Sequence, residues 1–400
     1  MRTRIDNRTA RLLLLDLYGL AEPPRRKLDA DGLAALIERI GFVQLDSINT
    51  VARAHHMILF ARNETYRPEQ LRLLHEDRRT LFEDWTHDAS LIPMAFRRYW
   101  QPRHRREEKR LLERWRKDRN RPFEDQLDRV LAHVRDNGPV MSRDLRTEKR
   151  KGPSGWWDWH PSKTALEFLW RTGKLAVARR EGFQKVYDLA ERVIPGDVGE
   201  ASDAEMVEWA ARSAFARMGF AAPADIAGFW DSIGIAEARA WCGRQTGSGG
   251  DELVEVDIEE ACGERCRTCL MPAQKLEQLG GLGEPPARLR VLSPFDPLIR
   301  DRKRLERVFG FDYRIEVFVP EPQRRYGYYV FPLLEGTRLV GRIDMKRTDE
   351  RLAVRRLWLE PGVRRSAGRR RALEAELDRI ARFAGCERVT FDDGALDDLA

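Results

Sequence analysis

The chain has 400 residues, with 72 Lys+Arg against 65 Asp+Glu for a net charge of +7, 42% hydrophobic and 34% charged. That excludes a disordered or collagen-like chain, and the length exceeds what one hydrophobic core serves, so several modules are expected. The early apolar run Leu12 to Leu15 is flanked by charge and too short for a signal core or a membrane span, and five scattered cysteines form no disulfide framework. These features predict a cytoplasmic protein.

The elements follow in chain order. Residues 7–20 carry apolar side chains at helical spacing, closed by Gly19, Pro23 and Pro24. Asp29 or Asp31 caps a second helix over Leu33 to Ile40, ended by Gly41. In the short extended segment Phe42 to Asp46, parity puts Val43 and Leu45 on one face and Gln44 and Asp46 on the other. This is the start of a winged-helix module, residues 1–120. A second module, 121–200, is clearer: a helix from Asp125 to Val134, a turn at Asn137 to Pro139, a short helix starting over Ser142 to Leu145, and a helix from Pro161 to Trp170. A hairpin then follows, built from Leu175 to Arg179 and Lys185 to Asp188. A weaker third copy, 201–286, has helices over Ala204 to Met218, Pro223 to Trp230 and Ile235 to Trp241, a strand at Leu253 to Ile258 and a wing at Gly247 to Gly250. The remainder, 287–400, alternates with period two over Arg314 to Val319, Gly327 to Leu333, Arg338 to Asp344 and Leu352 to Leu359 before an amphipathic helix from Arg369 to Phe383. The expected fold is α+β: tandem winged helices, then a β-rich, barrel-like domain with a terminal helix.

Charge is segregated along the chain, at +7 over residues 1–120, +2 over 121–200, −6 over 201–290 and +4 over 291–400. Basic clusters stand at Arg97 to Arg110 (with Arg103, Arg105 and Arg106), at Lys149, Arg150 and Lys151, and at Arg364 to Arg371. Three such clusters point to a polyanion partner, although each alone also reads as a solvated helix face laced with Glu.

Several groups invite chemistry. His55, His56 and His87 lie in the first 104 residues, but no ligand spacing joins them, and packed or surface roles are favoured over metal. Cys262, Cys266 and Cys269 form a CxxxCxxC triplet that follows an acidic strand late in the chain, a poor context for an iron–sulfur cluster, so no metal or cofactor is expected. The run Trp156, Trp157 and Trp159 beside Lys149 to Lys151 reads either as a nucleic-acid surface or as buried packing. No P-loop, GxGxxG or GxSxG occurs. From pattern alone the chain is a tandem winged-helix nucleic-acid binder.

Longer motifs add to this. Gln44-Leu45-Asp46 running into Val51 to His56, Trp85-Thr86-His87-Asp88-Ala89-Ser90-Leu91-Ile92-Pro93, Gly155 to Trp159, Tyr187 to Pro195, Ser293 to Leu298 and Phe309-Gly310-Phe311 resemble, in order, the winged-helix DNA glycosylases of the YcaQ and AlkZ type. The resemblance implies a monofunctional glycosylase, acting as a monomer near the nucleoid, on double-stranded DNA carrying N7-alkylguanine or interstrand crosslinks. It also implies a catalytic Gln-x-Asp motif at Gln44 and Asp46. Among basic and aromatic residues, His55, His56, His87, Trp159, the Arg103 and Lys149 clusters, and Arg179 and Arg180 on the second hairpin are expected to contact DNA. The competing reading is a non-catalytic winged-helix transcription regulator.

Overall fold

The computed structural model describes residues 2–117, 123–145, 161–196, 198–246 and 252–399. The expected wing at Gly247 to Gly250 and the Trp-rich run lie outside them. The fold is α+β; among the described residues there are four sheets, three built from one stretch of chain each and one that joins the two ends of the first 272 residues.

In the first module, Asp29 caps helix Ala30–Ile40 by accepting from Gly32 N, and Gly41 ends it at φ +95°. A side chain at Gly41 would collide with Arg217, whose Nε lies 2.6 Å from where its Cβ would be, so only glycine turns the chain into strand Val43–Gln44 there. Helix Ala54–Arg62 follows, then Pro68–Arg72 continuing into a single π turn, Leu73–Asp77. A hairpin, Leu81–Trp85 and Ala89–Pro93, places its second strand between the first and Val43–Gln44, with Gln44 opposite Ser90 and Asp84 opposite Ser90 on the other side. The sequence pattern did not show this hairpin, because its turn, Thr86-His87-Asp88, contains no glycine. The long helix Trp100–Arg116 closes the module.

The second module has the winged-helix layout, with helices Leu127–Asn137 and Pro161–Arg171 against a sheet ordered Val140–Met141, Gln184–Leu189, Leu175–Glu181. Residues 142–145 form a turn rather than the start of a helix. The third module has helices Asp203–Met218, Pro223–Trp230 and Ile235–Gln245 and an antiparallel hairpin, Leu253–Glu259 with Cys266–Pro272. Its sheet is completed from the far end of the chain: Thr3–Ile5 pairs in parallel with Leu253–Glu259. Helix Asn7–Leu17 therefore does not open the first winged helix, as its position suggested. Its Leu13, Leu14 and Leu17 bury in a core with Phe220, Val256, Leu305 and Phe309.

The C-terminal sheet runs Leu289–Val291, Val330–Glu335, Arg338–Thr348, Arg351–Leu359 and Arg388–Phe391, antiparallel except for the last pair, which helix Ala367–Phe383 connects. It curls into a half-barrel. The strand expected at Arg314 to Val319 is a loop instead, because the Glu316 carboxylate accepts from the backbone N–H groups of Arg325, Tyr326 and Gly327 and folds the segment on itself.

One buried ion pair joins the first module to the C-terminal domain. Arg62, at the end of its helix, donates to both oxygens of Asp296 at 2.7 and 3.0 Å, and to the carbonyls of Tyr18 and Ile58. Both side chains are almost fully buried. Removing one partner of such a pair strands the other charge. Asp296→Asn is expected to lower stability by about 3–5 kcal/mol in denaturant unfolding. Arg62→Met combined with Asp296→Leu should cost less than the two single changes added together.

Candidate active site

Gln44 ends the edge strand of the first sheet and Asp46 lies two residues beyond it, the Leu45 N–H still pairing with Ala89 O past the last regular ladder bond, and Asp88 comes close to both side chains. The hairpin turn opposite brings His87 and Asp88 beside them. This turn is tightly bonded: Asp88 O accepts from Thr86 N, Thr86 Oγ1 and Ser90 Oγ, and Asp88 Oδ1 accepts from Ala89 N.

Gln44 is buried and held at both ends of its amide. Its Oε1 lies 3.0 Å from His87 Nε2, and its Nε2 donates to Asp88 Oδ2 at 3.2 Å. His87 Nδ1 in turn lies 2.9 Å from Arg300 Nη1. Burial, then the nearby charges of Arg300 and Arg103, push the His87 pKa down to about 3, so the ring is neutral at ordinary pH.

Asp46 is half-buried, its Oδ1 accepting from Ile48 N at 2.7 Å, and no basic side chain among the described residues pairs with it. Burial, reinforced by the charge of Asp88, raises its pKa above the usual carboxylate value. The Asp88 pKa is raised as well, again chiefly by burial. On the C-terminal side sits Tyr329, whose phenol is pushed up by burial and then by the charge of Asp46. Two carboxylates, one unpaired, with a fixed amide between a histidine and an acid, form the kind of perturbed cluster that marks a working site.

The other candidates are placed differently. His55 and His56 do not stand beside Gln44. They line a cavity of about 260 Å³ with Leu45, Leu91 and Glu83, residues that alternate with Gln44, Ser90 and Asp84 along the strands, so the cavity lies on the opposite face of the sheet. His55 stacks on Phe183, and His56 Nδ1 meets the Tyr66 hydroxyl at 2.8 Å. The second-module hairpin is not a free DNA probe at Arg180: its guanidinium binds the fully buried Glu83 carboxylate at 2.7 and 2.6 Å, docking the wing onto the first module. Arg179 stays at the surface, paired with Glu181. Arg103 also departs from expectation. It is buried and donates to the carbonyls of Trp230 and Thr86, both at 2.6 Å, because these carbonyls have no ladder partner at that junction. Arg105 and Arg106 pair with Glu200, Asp203 and Glu237 at the surface. Lys149, Arg150, Lys151 and Trp159 lie outside the described residues. Cys262 and Cys266 are exposed near the turn of the third-module hairpin while Cys269 and Cys242 are buried, and no group of three metal-ligating side chains occurs among the described residues.

The sequence of residues 37–383, which includes Gln44, Asp46, His87, Asp88 and Arg300, matches the family described as DNA glycosylase AlkZ-like. The chain belongs to that family. It is an AlkZ-like DNA N-glycosylase, an enzyme of DNA repair, and the non-catalytic regulator reading falls away. Its fold is similar to that of the Streptomyces sahachiroi DNA glycosylase AlkZ, with a TM-score of 0.62 and 18% identity, covering 98% of this chain and 100% of the other. Among the described residues no helix is long and apolar enough to cross a membrane.

Two residues of this site, Asp88 and Arg300, escaped the reading of the sequence. Both adjoin motifs that were noticed: Asp88 sits within Trp85 to Pro93, and Arg300 two residues after Ser293 to Leu298. The buried position of Arg103 carries a prediction. Arg103→Ala should lower the melting temperature, by the cost of freeing two buried carbonyls at about 1–3 kcal/mol each, and leave the salt dependence of DNA binding unchanged. A phosphate-contacting arginine would instead reduce that slope by about one.

Proposed function

We propose that this glycosylase hydrolyses the N-glycosidic bond of N7-alkylguanine and unhooks interstrand crosslinks made through that atom, with Asp46 as the catalytic carboxylate and Gln44 as the group that orients the attacking water or the sugar. Alkylation at N7 makes the base cationic. It leaves as a neutral ring and needs little help from an acid, so the remaining demand is at the sugar, which becomes oxocarbenium-like. A carboxylate near C1′ stabilises that charge and accepts a proton from the incoming water.

The observation that carries the reading is the state of Asp46. It is a half-buried carboxylate that no basic side chain among the described residues neutralises, held against its own desolvation beside a buried Gln44 bonded at both ends of its amide. A carboxylate kept uncomfortable in the free enzyme gains most from a cationic transition state. Its position also favours a tethered lesion. A crosslinked base cannot rotate fully into a closed pocket, and Asp46 and Asp88 are both only half-buried, Asp88 at a hairpin turn. Water as nucleophile agrees with the lysine inventory nearby: Lys27 is the only lysine in the first 100 residues, and Lys185 is paired with Glu167 and lies over the Trp170 ring.

A duplex carrying N7-methylguanine or a nitrogen-mustard crosslink, treated with enzyme and then alkali, should show strand cleavage, and Asp46→Asn should reduce it by at least about 10²-fold. The same variant should melt no lower than the wild type. A folded-state pKa raised above the unfolded value means that the ionised carboxylate costs stability at neutral pH, and Asn removes that cost while keeping the acceptor for Ile48 N–H. An active Asp46→Asn enzyme would remove Asp46 from the mechanism. The wild-type rate should fall on acidification through a pKa above that of an exposed aspartate, since the working form is the carboxylate and its proton returns at a higher pH.

A further inference from the structure

We infer that Arg300 is a positioning residue for the glycosylase reaction: by donating to His87 Nδ1 it selects the imidazole tautomer that makes Gln44 face Asp88 and the reacting centre with N–H rather than oxygen. The inference rests on the role proposed above for Gln44 and names the group that aims it.

The direction of the chain follows from donor and acceptor inventory. A guanidinium only donates, so at 2.9 Å from Arg300 Nη1 the His87 Nδ1 must present its lone pair. The ring is neutral, so its single proton is on Nε2 and is donated to Gln44 Oε1 at 3.0 Å. The amide nitrogen then faces Asp88 Oδ2 at 3.2 Å. Reversing the amide would set a donor against a donor at His87 and an oxygen against a carboxylate at Asp88. The second N–H of Gln44 is left for substrate or water, and the acceptors of the site are Asp46 and Asp88.

Without Arg300, only the Asp88 carboxylate, acting through the Gln44 amide, favours this tautomer among the described residues. Thr86 Oγ1 lies 3.2 Å from His87 Nδ1 and would accept an N–H there, which leaves a bare Nε2 facing Gln44 Oε1 and sets His87 against Asp88 over the direction of the amide. Arg300 is itself firmly placed. Nη1 also donates to Phe229 O at 3.0 Å, the guanidinium lies over the rings of Phe42 and Phe229, and the helical turn Pro297–Arg300 starts at Asp296, the partner of Arg62. The charged groups around His87 are Arg300 and Arg103, Asp88 through Gln44, and, across a cavity of about 310 Å³ that His87 lines, Asp225, Asp301 and Arg304. The two arginines and burial keep His87 neutral, so the wild-type rate carries no signature of its titration.

The test compares wild type, Arg300→Met, Arg300→Lys and Gln44→Ala in single-turnover release of N7-methylguanine from duplex DNA over a range of pH, with DNA affinity measured in parallel. Arg300→Met is expected to be slower by about 10-fold at mildly alkaline pH, the scale of a misaimed group, with affinity unchanged. The deficit should shrink as pH falls, because loss of the Arg300 cation lets the His87 pKa rise and an imidazolium again donates Nε2–H to Gln44. Arg300→Lys, which keeps a cationic donor, should retain most of the rate. A wild-type rate in Arg300→Met, or a deficit equal at every pH, overturns the inference. If Gln44→Ala is slow while Arg300→Met is not, only the inference falls. If Gln44→Ala is as fast as wild type, the proposed role of Gln44 falls and the inference with it. Should Arg300→Met fail to fold, ¹⁵N NMR of the wild-type histidines decides: a proton on His87 Nδ1 at neutral pH overturns the inference, and one on Nε2 supports it.

Discussion

Arg62 and Asp296 face each other with both charges out of water, a costly arrangement that persists only because four guanidinium hydrogen bonds and an additional bond from Leu298 N to Asp296 satisfy the pair. Its position explains what that cost secures. Arg62 ends the helix that follows the Gln44-Leu45-Asp46 segment, and Asp296 starts the turn that carries Arg300. The ion pair thus links the segment that carries Gln44 and Asp46 to the turn whose Arg300 reaches His87 from another domain. A second tie, Arg347 N to Thr50 O, pins the loop after Asp46 to the end of the C-terminal sheet. The site is an assembly of the first module, the C-terminal domain and the Phe229 end of a third-module helix, and no one of these contains it.

Arginine serves as a structural fastener throughout. Arg103, Arg180, Arg217, Arg288, Arg290 and Arg304 each reach across a module boundary to a backbone carbonyl or a buried or half-buried carboxylate. The planar fork meets unpaired carbonyls at helix ends and loops, where a close-packed junction between modules leaves acceptors without ladder partners. A basic excess along the sequence is therefore a mixture of interior fasteners and surface charge, and counting cannot separate the two.

Much of the local structure was legible because it depends on local chemistry. Strand parity grouped Gln44 with Asp46, and Asp88 comes close to both; Pro161 and Gly173 bounded the central helix of the second module, and most of the period-two runs of the C-terminal sheet stood out. The misses share a cause: they depend on partners far away in sequence. Nothing near Arg103 or Arg180 distinguishes a buried arginine from a solvated one, since Trp230 and Glu83 decide it. Arg314 to Val319 alternates like a strand, yet Glu316 finds three amide donors nine to eleven residues later and makes a loop. Arg300 has no local pattern at all. Its significance comes from touching His87, 213 residues earlier.

The parallel pairing of Thr3–Ile5 with Leu253–Glu259 constrains the order in which the protein is built. Strand Thr3–Ile5 has no partner until the chain some 250 residues later is made, so the leucine-rich face of helix Asn7–Leu17 stays uncovered until Leu253–Glu259 has been synthesised. Closing so long a loop costs only slowly increasing entropy and is slow rather than unfavourable. The third module is therefore closed by a segment made long before it, and the docking of that segment completes the module on which the Phe229 wall of the site depends.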